Sequence, residues 1–153
     1  MPATAPDDSD LDVDTDAAPD EQAGDGKLSG KTILLVDDDH DVLQTLQAAF
    51  EPTGATLHTS RNGNKAIEVA EREQPDLIVL DMMLPGRSGF LVLEKIKGSK
   101  LPSDKPFIIM LTANEGLRHQ QYAEARGVND YFHKPASLEK LLARAEDLLT
   151  SEA

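Results

Sequence analysis

Three carboxylates, one hydroxyl and one ammonium in this 153-residue chain each stand directly after a run of apolar residues. Asp37 and Asp38 follow Ile33-Leu34-Leu35-Val36, and Asp81 follows Leu77-Ile78-Val79-Leu80. Thr112 follows Phe107-Ile108-Ile109-Met110-Leu111, and Lys134 follows Tyr131-Phe132-His133. If the runs are parallel strands of one sheet, these groups converge at one end. Such a cluster suits a divalent metal and a phosphoryl group. Adjacent carboxylates repel unless a cation sits among them, and Mg2+ takes a few carboxylate oxygens together with water and phosphate oxygens. A strand-end carboxylate such as Asp81 can attack phosphorus as a nucleophile. The transfer needs charge neutralisation and fixed geometry. Lys134 adds a positive charge, and Thr112 offers a hydroxyl to a phosphoryl oxygen. Taken singly, each residue has a plainer reading: a strand-end Asp often forms a turn, and Thr is common in strands. The joint pattern carries the weight.

Side chains that neighbour each other in a strand point to opposite faces, so Asp37 and Asp38 serve one site only where the strand ends and the backbone turns. Their place after Val36 satisfies this. Asp39 and Asp41 are expected to favour the start of a helix instead.

The elements that must position these groups alternate from Lys31 onward. Apolar runs predict strands near 32–36, 55–59, 76–80, 106–111 and 128–132. Helical spacing predicts helices near 40–51, 63–73, 88–98, 115–125 and 137–149, the last being the clearest. Pro52-Thr53-Gly54, Asn62-Gly63, Pro75, Pro85-Gly86, Pro102, Gly127 and Pro135 punctuate them. Continuous apolar strands imply a parallel sheet covered on both faces, and right-handed crossovers place helices on both sides. Ligands of such α/β sheets bind at the carboxyl ends of the strands, where all the reactive residues lie.

The formal charge of -13 is uneven: residues 1–26 hold nine acids and no Lys or Arg. With almost no large apolar side chain, the segment cannot offset chain entropy by burial, so an acidic disordered tail is expected over residues 1–28, with a domain over 29–153. Asp10, Asp12, Asp14 and Glu21 mimic a calcium loop, but Thr15 stands where that loop needs Gly. Asp37, Asp39 and Asp41 fail the same test at Val42 and Ala48. The solvated tail is therefore the reading adopted. An acidic chain repels nucleic-acid phosphates, so no direct DNA binding is expected. The chain has no cysteine, no signal-peptide pattern at its start and no apolar run of membrane-spanning length. A soluble cytoplasmic protein is expected.

The segments Val36-Asp37-Asp38, Leu80-Asp81 with Pro85 and Gly89, Leu111-Thr112-Ala113 and Lys134-Pro135 resemble response-regulator receiver domains over about residues 31–150. The resemblance implies a flavodoxin-like (βα)5 fold with strand order 2-1-3-4-5. It implies Asp81 as phosphoacceptor, loaded from a phosphohistidine on a sensor histidine kinase or a histidine phosphotransfer protein. It further implies Mg2+ held by Asp37, Asp38, Asp81 and the Met83 backbone carbonyl, with Lys134 on the phosphoryl group and a cis bond to Pro135. Thr112 and Tyr131 match the family's switch pair, Tyr131 turning inward on phosphorylation, and the Ala113 N–H can reach the phosphate. Met83 and Asn114 hold positions that tune phosphate lifetime. The Met83 side chain cannot hydrogen-bond water strongly, so a long-lived phosphate is expected.

The resemblance also places the output surface on the fourth helix, fifth strand and fifth helix, here with Arg118, Gln121, Tyr131 and Arg144. It places the kinase contact on the first helix, with Val42 and Leu46. His40, His58 and His119 are expected at the surface, and His133 is expected to pack. With no output domain after Leu149, a stand-alone receiver is expected, acting on a downstream target protein or shuttling phosphate between histidine-containing partners. An Asp-nucleophile phosphatase would want a second acid at Met83. A flavin module would want a Gly- and hydroxyl-rich loop in place of Asp37-Asp38-Asp39. A phosphate-independent binding module would have no need of Asp81, Thr112 and Lys134. The chain is therefore expected to catalyse only its own phosphorylation and dephosphorylation.

Overall fold

The computed structural model describes residues 26–98, 100–101, 103–113 and 117–150. Most of the acidic segment, its calcium-like pattern and Asn114 lie outside these residues. Five strands alternate with five helices: β1 (Thr32–Val36), α1 (His40–Phe50), β2 (Thr56–Ser60), α2 (Gly63–Glu73), β3 (Leu77–Leu80), α3 (Gly89–Lys97), β4 (Phe107–Thr112), α4 (Leu117–Ala125), β5 (Asp130–His133) and α5 (Leu138–Thr150). A single 3-10 turn, Glu51–Thr53, extends α1. The strands form one parallel sheet in the order β2-β1-β3-β4-β5, which is the expected flavodoxin-like arrangement. Among the described residues no helix is long and apolar enough to cross a membrane.

Alternation along the central strands divides the core in two. Ile33, Leu35, Val79 and Ile109 face α1 and α5, meeting Leu43, Phe50, Leu141 and Ala145. Leu34, Val36, Ile78 and Met110 face the other side, meeting Ala66, Val69, Val92 and Leu93. Every residue of β3 and β4 is buried, as two covered faces require. Edge strands β2 and β5 are only partly buried.

The expected elements are present, with boundaries shifted by a residue or two. β5 starts at Asp130 rather than 128 because Asn129 intervenes: its side-chain Oδ1 accepts from the Ile108 N–H at 2.8 Å. The domain also begins earlier than expected. Leu28, assigned to the tail, is fully buried in the α1/α5 core, and its N–H donates to the Thr53 carbonyl at 2.8 Å. A single leucine among Gly26, Lys27, Ser29 and Gly30 leaves no periodicity to read.

Side-chain caps fix the turns that leave β1, β2 and β3. Asp39 accepts from the Asp41 and Val42 N–H groups at the start of α1. Asn62 accepts from the Lys65 N–H at α2, and Ser88 from the Leu91 N–H at α3. Each satisfies amides that the helix itself leaves unpaired.

Candidate phosphoryl and metal site

The register brings the reactive residues together. Val36 pairs with Leu80, and Leu80 with Met110, so Asp37 and Asp81 leave adjacent strands at one level. Backbone bonds hold both: the Asp81 N–H donates to the Val36 carbonyl at 3.0 Å, and the Asp37 N–H to the Ser60 carbonyl at 3.1 Å. Thr112 pairs with His133 on the far side, and the Lys134 N–H donates to the Thr112 carbonyl at 2.9 Å.

Asp37, Asp38 and Asp81 each offer a carboxylate oxygen, all within 4.8 Å of one another. Asp37 and Asp81 are almost wholly buried, at 1% and 4% exposure, whereas Asp38 is exposed. One rim of the site is therefore open. Lys134 reaches across from β5, its Nζ 2.6 Å from Asp37 Oδ2 and 3.5 Å from Asp81 Oδ2. Burial raises the Asp37 carboxyl above its usual range, against the Lys134 bond and the Asp39 N–H at 2.9 Å. Burial alone would depress Lys134, but its bond to Asp37 and the charges of Asp81 and Asp37 more than offset this and hold it raised. The Met83 N–H donates to Asp81 Oδ1 at 3.2 Å, which turns the β3–α3 loop over the site. The Met83 side chain is 60% exposed.

Hard oxygen donors with one open rim suit a small divalent cation that keeps some of its water. The donor set thus fits Mg2+ and offers none of the nitrogen or sulfur ligands that zinc prefers.

Thr112 is fully buried beneath the cluster, and Ala113 follows it at the surface. Tyr131 is buried at 7% exposure, so its ring lies inward, and burial together with the Asp81 charge raises its hydroxyl pKa. The Lys134-Pro135 bond is cis, and so is Lys105-Pro106, which nothing in the local sequence announced.

Other assignments change. Leu46, expected at a kinase contact, is 2% exposed and belongs to the core; the half-buried Val42 remains beside the site. His133, expected to pack, is exposed at the end of edge strand β5, its ring 5.2 Å from that of Tyr131. His58 is half-buried rather than superficial, and burial lowers its pKa despite Glu73 at 3.6 Å. His40 and His119 are exposed, as expected, His119 lying beside the Phe90 ring. Arg118 and Gln121 are exposed on α4, while Arg144 is bound to Asp130 and Asp147, both at 2.9 Å.

Two residues escaped sequence reasoning. Arg61 donates from Nε and Nη2 to the Asp38 carbonyl at 3.2 and 3.1 Å. Lys97, 1% exposed, ends α3 with its ammonium bonded to the carbonyls of Leu101 and Asp104. A lone basic residue in a turn or at a helix end reads as solvated surface.

A family model described as the response regulator receiver domain matches residues 33–146. The phosphate regulon transcriptional regulatory protein PhoB of Pseudomonas aeruginosa is 38% identical over 122 residues, covering 80% of this chain and 53% of that protein. The alkaline phosphatase synthesis transcriptional regulatory protein PhoP of Bacillus subtilis is 37% identical over 119 residues, covering 78% of this chain and 48% of that protein. The chain thus spans about half the length of the curated relatives it matches. Since these relatives are named as transcriptional regulators, the expectations of a stand-alone protein and of no DNA contact are not carried beyond the matched residues. Among solved structures, the BeF3-activated receiver domain of Klebsiella pneumoniae RstA superposes with a TM-score of 0.70 at 30% identity, covering 77% of this chain and 97% of that one. The receiver domain of a Vibrio parahaemolyticus LuxO repressor superposes with a TM-score of 0.72 at 26% identity, covering 78% and 90%. Sheet order, strand-end carboxylates, cross-sheet lysine and family match agree: this chain belongs to the response regulator receiver domain family of two-component signalling.

Proposed function

We propose that Asp81 accepts a phosphoryl group from the phosphohistidine of a sensor histidine kinase or histidine phosphotransfer protein, and that the resulting aspartyl phosphate alters partner binding. The observation carrying this reading is the buried Asp81 carboxylate clustered with Asp37 and Asp38, with the Lys134 ammonium bridging Asp37 at 2.6 Å and Asp81 at 3.5 Å. An Asp81 oxygen forms the new bond to phosphorus as the phosphorus–nitrogen bond breaks, and the imidazole nitrogen keeps the electron pair. Asp37, Asp38, Asp81 and the Met83 carbonyl would hold Mg2+, which would supply charge neutralisation at the phosphoryl oxygens. Lys134 then exchanges part of its attachment to Asp37 for a phosphoryl oxygen. Buried Thr112 supplies its hydroxyl to a second, and the Ala113 N–H is poised at the rim for a third. The chain carries no acid two residues after Asp81, where Met83 stands. It therefore modifies itself and does not turn over an external ester.

A phosphoryl group adds roughly -1.5 to -2 charge and three strong acceptors. It shifts an equilibrium only through contacts made in one state; Lys134, 3.5 Å from Asp81, and the buried Thr112 would make them, with Tyr131 behind. Exposed Arg118 and Gln121 lie on the face through which the change is read.

Intact mass after incubation with acetyl phosphate or phosphoramidate and Mg2+ tests the proposal. A single phosphoryl adduct is expected in wild type, lost with EDTA and lost in Asp81→Asn. No adduct in a wild type that binds Mg2+ would turn the reading toward a phosphate-independent binding module.

A further inference from the structure

The β2–α2 turn, Arg61-Asn62-Gly63-Asn64, touches both loops that carry metal ligands. On one side, Arg61 lays two N–H groups on the Asp38 carbonyl, at 3.2 and 3.1 Å. Just before the turn, the Ser60 carbonyl accepts from the Asp37 N–H at 3.1 Å. On the other side, the Gly63 N–H donates to the Pro85 carbonyl at 3.0 Å, and Arg87 Nε donates to Asn64 Oδ1 at 3.0 Å. The approach is close: a Cβ on Gly63 would lie 1.8 Å from the Arg87 carbonyl oxygen. The turn is itself stiffened, because Asn62 caps α2 and Ser60 Oγ donates to the Asn62 carbonyl at 3.0 Å.

We propose that Arg61 is a positioning residue for the metal: it holds the Asp38 backbone, and so the Asp38 carboxylate, against a turn already pinned to the β3–α3 loop. This deepens the receiver reading and rests on it. Of the three carboxylates only Asp38 is exposed, so it alone lacks a surrounding core to fix its place. Asp37 has the Lys134 ammonium and the Asp39 N–H, and Asp81 has the Met83 N–H and Lys134. The two guanidinium bonds to its carbonyl give the Asp38 loop a tether from outside the loop. A guanidinium fork suits this better than a lysine, since its two donors are held in one plane.

The sign of the effect separates positioning from mere charge. A cation beside an acidic cluster repels a metal, so if charge were Arg61's whole role its removal would tighten Mg2+ binding. Positioning has the opposite outcome. Titration calorimetry of the full chain with Mg2+, for wild type, Arg61→Ala and Arg61→Lys, reads it directly. Arg61→Ala is expected to weaken Mg2+ by about fivefold, the size of losing exposed charge-assisted hydrogen bonds. Arg61→Lys, which keeps the charge and one donor direction, is expected to fall between Arg61→Ala and wild type. In the metal-free protein, the amides of residues 38–41 should exchange faster in Arg61→Ala than in wild type, while the urea midpoint stays unchanged. Equal or tighter Mg2+ binding in Arg61→Ala, or unaltered exchange at 38–41, overturns the proposal. A wild type that binds no Mg2+ removes the metal reading itself and this inference with it, a failure seen before any variant is compared.

Discussion

The Lys134 ammonium stands 2.6 Å from Asp37 and 3.5 Å from Asp81, so the lysine rests on the metal-site carboxylate rather than on the phosphoacceptor. It is the cation that keeps two buried carboxylates compatible. Lys134→Met would leave Asp37 and Asp81 facing each other with almost no solvent to screen them. In EDTA the variant should lose about 2 kcal/mol, somewhat under the usual cost of breaking a buried pair because Lys134 is 22% exposed. Mg2+ should restore more stability to the variant than to wild type, since removing the ammonium beside the carboxylates tightens Mg2+ and ligand stabilisation grows with the logarithm of affinity. Urea unfolding with EDTA and with Mg2+ checks this. An equal Mg2+ increment in both proteins would show that Lys134 does not mediate the carboxylate repulsion.

Gly89 opens α3 against the strand end that carries Asp81. A Cβ there would lie 2.2 Å from the Asp81 carbonyl oxygen and 2.6 Å from Met82 Cα, and the Gly89 N–H donates to the Met82 carbonyl at 2.8 Å. Neither neighbour is a flexible side-chain tip, so the backbone must move. Gly89→Ala is expected to cost about 2–3 kcal/mol, in the range of overpacked sites. It should also slow acyl-phosphate labelling of Asp81 by displacing the nucleophile. Urea midpoints and the labelling rate by intact mass measure the two effects. A variant with wild-type midpoint and rate would mean the loop yields without cost.

The strands, the helices and the Asp37, Asp38, Asp81, Thr112 and Lys134 cluster were legible because each rests on a pattern longer than itself, whereas the strand order came only with the family resemblance. An apolar run with a polar residue at its end reports both a buried strand and the side chain it delivers. Features held by single contacts were not legible. Nothing about Arg61 announces that it reaches the backbone 23 residues earlier in the chain. Leu46 falls on a helical face that reads equally as core or as partner surface, and packing decides for the core. His133 sits in a strand whose edge position only the sheet order reveals, so its exposure could not be read beforehand.

Lys97 sets a pH dependence. Burial lowers its pKa from 10.5 to about 8, although the Leu101 and Asp104 carbonyls favour the ammonium. A lysine whose pKa is lower folded than unfolded penalises the folded state while charged, and the penalty is fully present below the folded value. Between about pH 8 and the unfolded value of 10.5, the unfolded chain binds the additional proton, so this contribution to stability rises with pH. Comparing wild type with Lys97→Met isolates it from other titrations. The stability difference should move in favour of wild type between pH 7 and pH 9.5 in urea unfolding, and a flat difference would place the folded pKa near its ordinary value.

Tyr131 makes the switch assignment testable without a kinase. Its side chain is buried at 7% exposure, so the ring lies inward in this structure. The protein has two tyrosines and no tryptophan, so Tyr122→Phe leaves Tyr131 as the sole strong ultraviolet emitter. Tyr122 bonds Glu94 through its hydroxyl at 2.6 Å near the surface, and its removal should leave the distant phosphoryl site intact. Iodide should quench Tyr131 weakly in the resting state, and beryllofluoride with Mg2+ should leave quenching low. What should change is the emission itself, because a trifluoride anion on Asp81 adds charge near a ring that already senses Asp81. Strong quenching at rest that disappears with beryllofluoride would mean the ring swings from solvent into the core. The buried position of Tyr131 would then belong to the activated state alone.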